Sequence, residues 1–160
     1  MTMVYIGVGS NIEPRRHIRR ALALLGQQLG KIETSPLYAC PAVGFSGDDF
    51  INLVVAVDTE LDLHAVVRVL HDVEAQCGRV RGQTVRARTM DLDLLLFGDR
   101  IYREGKIRLP REDILEYAFV LKPLADIAGN ARHPVDGRSY AALWQAFDAP
   151  EQTLREVTLD

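Results

Sequence analysis

The stretch Gly78–Gly98, GRVRGQTVRARTMDLDLLLFG, concentrates the residues of this chain that could do chemistry. Arg79, Arg81, Arg86 and Arg88 fall within ten positions, and the chain then enters an apolar run that carries only Asp91 and Asp93. From Thr89 to Phe97 the pattern predicts a strand, short, apolar and closed by Gly98-Asp99. Alternation along a strand sends Asp91 and Asp93 to one face and Met90, Leu92 and Leu94 to the other. Two carboxylates so placed form a hard-oxygen site suited to Mg²⁺, which takes few protein carboxylates and completes its shell with substrate phosphates. The arginines ahead of them offer planar, permanently charged donors for the same phosphates. Metal plus arginine is the equipment of phosphoryl-type transfer, where positioning and charge neutralisation carry most of the catalysis. The opposing reading is a solvated strand face beside a soluble Arg-rich loop. Against it stands Leu92–Phe97, apolar enough to predict a central, largely buried strand in which a carboxylate pair needs a cation.

The elements that must position these residues follow from periodicity. Met3–Val8 reads as a buried first strand ended by Gly7 and Gly9, which serve either a tight turn or a close backbone approach. GVGSN is not a dinucleotide fingerprint, because the third glycine is missing. Asn11 is the expected cap of a helix entered through Pro14, with Ile18, Leu22, Leu25 and Leu29 as its apolar stripe and Gly30 as its stop. Lys31–Tyr38 is a second strand, and Ala42–Asp49 is a Gly-containing loop. Phe50–Thr59 is a strong third strand with Phe50, Asn52 and Val54 on one face. A second helix, Leu61–Cys77, buries Leu63, Val66, Val67, Leu70, Val73 and Cys77, with His71 and Glu74 beside that stripe. His17, His64 and His133 have no ligand spacing and receive no functional role. Arg100–Leu109 predicts a hairpin through Glu104-Gly105, and Arg111–Leu121 a short helix with Phe119 and Val120 inward. Ser139 caps a last helix in which Leu143, Trp144 and Phe147 pack, and Gln152–Leu159 is an extra strand or ordered coil. The order strand–helix–strand–strand–helix–strand is the split βαβ, ferredoxin-like α+β arrangement with C-terminal additions. That architecture hosts many functions, so function has to come from the site.

Composition narrows the class. The 160 residues suit a single domain with a real core, and an apolar content of 48% with 26% charged residues is that of a soluble globular protein. A net charge of −3 argues against a general nucleic-acid binder, so the arginine cluster is local. Cys40 and Cys77 have neither metal spacing nor a disulfide framework, and no stretch suits a leader or membrane span. A cytoplasmic protein with no membrane or nucleic-acid partner, monomeric by default, is expected.

Four segments together resemble one family: YIGVGSNI, FINLVVAVDT, GRVR followed by RTMDLDLLLFGD, and LPR with FVLKPLADIA. In this order and spacing they resemble 6-hydroxymethyl-7,8-dihydropterin pyrophosphokinase, the folate-pathway enzyme that moves pyrophosphate from ATP to the pterin hydroxymethyl oxygen, over nearly the whole chain. The resemblance implies that Asp91 and Asp93 hold two Mg²⁺ ions on the ATP phosphates. It implies that Arg79 and Arg88 engage the transferring phosphates, with Arg81 assisting from the loop between them. Asn52 would read the pterin edge, Phe50 and Phe119 would sandwich its ring, and the segment from Cys40 through Val43 to Gly44 would complete the pocket. Glu74, Leu94 and Lys106 would border ATP. The residues themselves agree in part, since the pleat puts a stacking Phe50 and a hydrogen-bonding Asn52 on one face.

Departures from the family pattern fall on the ATP and loop side. Val85-Arg86-Ala87 stands where the family has an aromatic-Gly/Ala-Pro segment, and the loop is one residue shorter. After Leu109-Pro110, where His and Arg are common, the chain has Arg111-Glu112-Asp113 and later Glu116-Tyr117; Phe50 replaces a common tyrosine. The alternative to an active pyrophosphokinase is a repurposed paralogue that binds a pterin or nucleotide, or acts on a modified pterin. Retention of Asp91, Asp93, Arg79 and Arg88 favours the enzyme.

Overall fold

Apolar alternation on the long strands builds a sheet with an apolar cluster packed on each face. The computed structural model describes residues 1–41, 49–78 and 90–160. Its elements run β1 (Thr2–Ser10), α1 (Pro14–Leu29), β2 (Ile32–Thr34), β3 (Leu37–Cys40), β4 (Phe50–Thr59), α2 (Leu63–Gln76) and β5 (Asp91–Phe97). They continue through a β6 (Tyr102–Glu104) and β7 (Ile107–Leu109) hairpin, α3 (Asp113–Glu116), α4 (Ala118–Ala128), α5 (Tyr140–Ala146) and β8 (Arg155–Val157). Among the described residues the main sheet has the order β5-β1-β4-β3-β8, with β2 also on β4. All of these pairings are antiparallel. This is the expected ferredoxin-like core, with β2 and β3 together supplying its second strand.

One face carries Val4, Ile6, Val8, Leu53, Val55, Leu92 and Leu94 against α1 and α2. The other carries Val54, Leu95 and Leu96 against Leu121 and Leu124 of α4 and Tyr140 of α5. A bulge between Tyr5 and Ile6 in the β1–β5 register lets Leu95 and Leu96 both join the second face.

Several expectations are corrected. β5 lies at the edge of the sheet among the described residues, not at its centre. It is nonetheless buried because α2 covers one face, the second core covers the other, and Arg111 N–H donates to Leu95 O at 3.0 Å. The second strand is broken at Ser35-Pro36, where Ser35 N–H donates to Val54 O and Ser35 Oγ accepts from Val54 N–H at 2.8 Å. Asn11 is buried but is not the cap of α1; the chain enters that helix through Glu13, with a left-handed φ of 40° and no side-chain cap. β1 does not stop at the glycines but runs on to Ser10. Ser139 does cap α5, accepting from Ala142 N–H at 3.1 Å. Within α5 the buried anchors are Tyr140 and Leu143, while Trp144 is only half-buried and stacks on Phe147. The tail does form a strand, β8, paired with β3.

No helix among the described residues is long and apolar enough to cross a membrane. Cys40 and Cys77 are both free thiols.

His133 is buried, and its Nδ1 accepts from Val135 N–H at 3.2 Å and Asp136 N–H at 3.0 Å. Burial holds its pKa below the ordinary imidazole value, against the opposing charge of Asp136. The unfolded chain therefore takes up this proton more readily, and stability present above an ordinary imidazole pKa of about 6.5 is lost as pH falls through it. The thermal midpoint is expected to drop as pH falls below about 6.5, and His133→Asn, which keeps an acceptor, is expected to flatten that drop.

Candidate active site

The cross-strand register brings the polar residues of three strands into two rows. Gly9 of β1 stands opposite Asn52 of β4 on one side and opposite Asp91 of β5 on the other. Two residues earlier, Gly7 stands opposite Val54 and Asp93 in the same way. Directly opposed residues project from the same face of a sheet, so Asn52, Asp91 and Asp93 share one face with nothing between them but glycine backbone. The glycine of the first row leaves the Asn52 carboxamide its place. A Cβ on Gly9 would lie 2.6 Å from Asn52 Oδ1, whereas one on Gly7 would meet Leu95 at an ordinary 3.5 Å. The open cavity over these rows is lined by Asn52, Asp91, Asp93, Gly7, Gly9 and Phe119.

Phe119 reaches this cavity from the first turn of α4. It stacks on Tyr117, with ring centroids 5.0 Å apart. The turn is tied down by Gln152 of the tail, whose Oε1 accepts from Ala118 N–H at 2.8 Å and whose Nε2 donates to Glu116 O at 3.0 Å. On the β3 side, Cys40 pairs with Phe50 and Tyr38 with Asn52. Asn52 Nδ2 lies 3.5 Å from Cys40 Sγ. Burial, aided by the Asp49 charge, pushes the Cys40 thiol up to about 11, so it meets the cavity as a neutral group.

The carboxylates form an electrostatically loaded cluster. Burial, then the Asp91 charge, pushes Asp93 up to about 7, with Arg111 opposing the shift. Arg111 Nη2 lies 3.5 Å from Asp93 Oδ1, and Arg111 Nε lies 3.5 Å from Asp113 Oδ2. Glu74 is buried beneath β5, and its Oε2 accepts the Leu92 N–H at 2.9 Å, between the two aspartates. A divalent cation fits this chemistry: adjacent carboxylates about two residues apart on one strand face repel each other, and a cation removes that penalty. Among the described residues no group of three or more His, Cys, Asp or Glu side chains forms a metal cage. An ion held by this pair would complete its shell with ligands from outside it, substrate oxygens and water among them.

Other expected residues distribute unevenly. Phe50 is half-buried at the start of β4. Leu94 is buried on the α1/α2 face, away from the aspartates, because it alternates with Asp93. Lys106 is exposed in the β6–β7 turn, and Glu74 supports β5 from below rather than lying on the open face. Arg79, Arg81, Arg88, Val43 and Gly44 lie outside the described residues. Sequence reasoning noted Arg111 only as a departure and missed Gln152; neither has a periodic signature, since their roles come from contacts across the chain.

Removing the Glu74 acceptor leaves a buried Leu92 N–H unsatisfied, which costs about 1–3 kcal/mol. Glu74→Ala is accordingly expected to lower unfolding free energy by that amount in urea titration, while Glu74→Gln, which retains an acceptor oxygen, is expected to lose less.

Comparisons with known proteins bear on the family and the fold. The model of the 7,8-dihydro-6-hydroxymethylpterin-pyrophosphokinase (HPPK) family matches residues 5–129. The 2-amino-4-hydroxy-6-hydroxymethyldihydropteridine pyrophosphokinase of Pseudomonas aeruginosa is 37% identical over 147 residues, covering 89% of this chain and 90% of that protein. The enzyme of the same name from Methylorubrum extorquens is 36% identical, covering 80% of this chain and 84% of its own length. A crystal structure of Plasmodium falciparum HPPK-DHPS aligns with a TM-score of 0.71 at 15% identity, over 91% of this chain. This chain spans only 43% of that longer one, and at such identity the likeness speaks to the fold alone. With the family model spanning most of its length and relatives this similar end to end, the chain belongs to the 7,8-dihydro-6-hydroxymethylpterin-pyrophosphokinase family.

Proposed function

We propose that this chain acts as a single pyrophosphokinase domain, transferring pyrophosphate from ATP to the hydroxymethyl oxygen of 6-hydroxymethyl-7,8-dihydropterin and releasing AMP, a step of folate biosynthesis. The observation that carries the reading is one open cavity lined by Asn52, Phe119, Asp91 and Asp93 together. A planar heterocycle needs an aromatic face and an amide to read its edge, and a polyphosphate needs charge neutralisation a few ångströms away. The family of its relatives supplies the reaction class.

In this mechanism Asn52 pairs with the pterin's amide-like edge while Phe119 and Phe50 hold the ring, with Cys40, Val43 and Gly44 on its rim. Asp91 and Asp93 would hold two Mg²⁺ ions, which supply charge neutralisation on the phosphates and, by polarisation, a more acidic hydroxyl. The pterin oxygen attacks the β-phosphorus; its new O–P bond forms as the bond from that phosphorus to the α,β-bridging oxygen breaks, the hydroxyl proton passes to solvent water, and AMP departs with the bridging oxygen. Arg79, Arg81 and Arg88 are assigned to the charge that develops on the transferring group. Glu74 contributes by fixing the backbone between the aspartates, and Lys106 is assigned to the nucleotide side. Leu94 is left with a packing role because it faces the opposite core.

The test is AMP formation from Mg²⁺, ATP and 6-hydroxymethyl-7,8-dihydropterin. AMP is expected only when all are present, and Asp93→Asn is expected to reduce turnover by about a thousand-fold or more with the fold intact. Pterin binding without AMP in the unaltered protein would replace the enzyme with a binding module.

Gly9→Ala separates the pterin half of the site from the rest. Its methyl group displaces the Asn52 carboxamide, so KM for the pterin is expected to rise about ten-fold or more by loss of hydrogen bonding. KM for ATP should change little, and Gly7→Ala, with ordinary contact distances, should leave pterin affinity nearly unaltered.

A further inference from the structure

Arg111 has no part in the mechanism above, yet it is the charged side chain set closest to the aspartate pair among the described ion pairs. Its backbone N–H is fixed to Leu95 O at 3.0 Å, so the segment after β7 is anchored across the edge of β5, two residues beyond Asp93. Its guanidinium, by contrast, is loosely held. It sits between two carboxylates, 3.5 Å from Asp93 Oδ1 and 3.5 Å from Asp113 Oδ2, and is about one-third exposed. Its buried Nε has no hydrogen-bond acceptor among the described residues. The main chain is therefore fixed, while the guanidinium meets its two carboxylates among the described residues at 3.5 Å, longer than a charged hydrogen bond.

This arrangement has a consequence for cation binding. The Asp93 oxygen that faces Arg111 belongs to the pair best suited to a divalent ion. A guanidinium and a divalent ion near the same oxygen repel each other, so one displaces the other. A guanidinium released there stands beside the polyphosphate that arrives with the ion, and planar bidentate pairing with phosphate oxygens is what arginine does well. Asp113, 3.5 Å from Nε, keeps the side chain from swinging into solvent during the exchange.

We propose that Arg111 is an exchanging counter-ion: it neutralises Asp93 in the substrate-free protein and transfers its guanidinium to a nucleotide phosphate oxygen when the aspartate pair takes up its cation. The role rests on the reading that Asp91 and Asp93 hold metal against phosphate. It makes Arg111 an antagonist of metal binding alone and a contributor to binding of the metal–nucleotide complex.

These opposite signs supply the test. Mn²⁺ binding to the nucleotide-free full chain is followed by electron paramagnetic resonance, and binding of α,β-methylene-ATP in Mg²⁺ by calorimetry. Arg111→Gln is expected to bind Mn²⁺ about five-fold more tightly, the scale of a partly exposed ion pair. The same variant should bind the Mg²⁺–nucleotide analogue about ten-fold or more weakly, the scale of a charged hydrogen bond. Arg111→Lys, charged but without the planar fork, should keep Mn²⁺ binding near that of the unaltered protein and recover the analogue only in part. A variant that merely loosens the fold weakens both, so parallel losses, or unchanged Mn²⁺ binding in Arg111→Gln, would overturn the exchange. Asp93→Asn distinguishes the deeper failure: if it leaves Mn²⁺ and analogue binding unchanged, the metal assignment itself falls, and the role of Arg111 with it.

Discussion

The structure depends on the register of β1 between β4 and β5. Because Gly9 faces Asn52 on one neighbour and Asp91 on the other, a residue from each flank of the sheet meets over a strip without side chains. A slip of one residue would turn every side chain over, sending both aspartates into the apolar layer under α1 and α2. The register is held by Val4, Ile6 and Val8, all essentially inaccessible on that opposite layer. Hydrophobic burial on one face thus positions the polar chemistry on the other. The glycines keep the strip clear for ligand without breaking the strand, which is why β1 runs through them to Ser10.

The polar face is built at electrostatic cost. Asp93 and Asp113 share one guanidinium, with the Glu74 carboxylate below, and burial followed by the Asp91 charge draws the proton affinity of Asp93 upward. Such a cluster is poor for stability and good for binding, because further cationic charge entering it relieves the repulsion. The support is correspondingly firm: Glu74 holds Leu92 N–H and Arg111 N–H holds Leu95 O, so the strand is pinned between the two aspartates and again two residues beyond them. Charge strain is tolerated where the backbone cannot yield.

Much of this was legible before any coordinates. The pleat put Asp91 with Asp93, and Phe50 with Asn52, on shared faces because a period of two is a local property of a strand. Phe50–Thr59 and the Ser139 cap were equally readable, resting on patterning and side-chain capping within a few residues. What local patterning could not supply was arrangement. The apolar run of β5 reads as a central strand, yet burial at a sheet edge by helices and a following segment leaves the same composition. Nor does GVG reveal which residue each glycine must clear; only the partner across the ladder does, at 2.6 Å for Asn52. Gln152 acts on Ala118 over a separation of 34 residues, a distance that no periodic signal spans.

The segment that departs from the family pattern is informative for the same reason. Between Arg111 and Tyr117 the fold is secured by main-chain bonds: Arg111 N–H to Leu95 O, Ile114 N–H to Arg111 O and Tyr117 N–H to Asp113 O. Ile114 alone supplies a fully buried anchor there. Side chains at 111, 112, 113 and 117 can then change without cost to the core, although two of them, Arg111 and Tyr117, stand next to Asp93 and Phe119. A family can therefore retune charge and stacking at its site through this segment while the sheet register, which everything else requires, stays fixed.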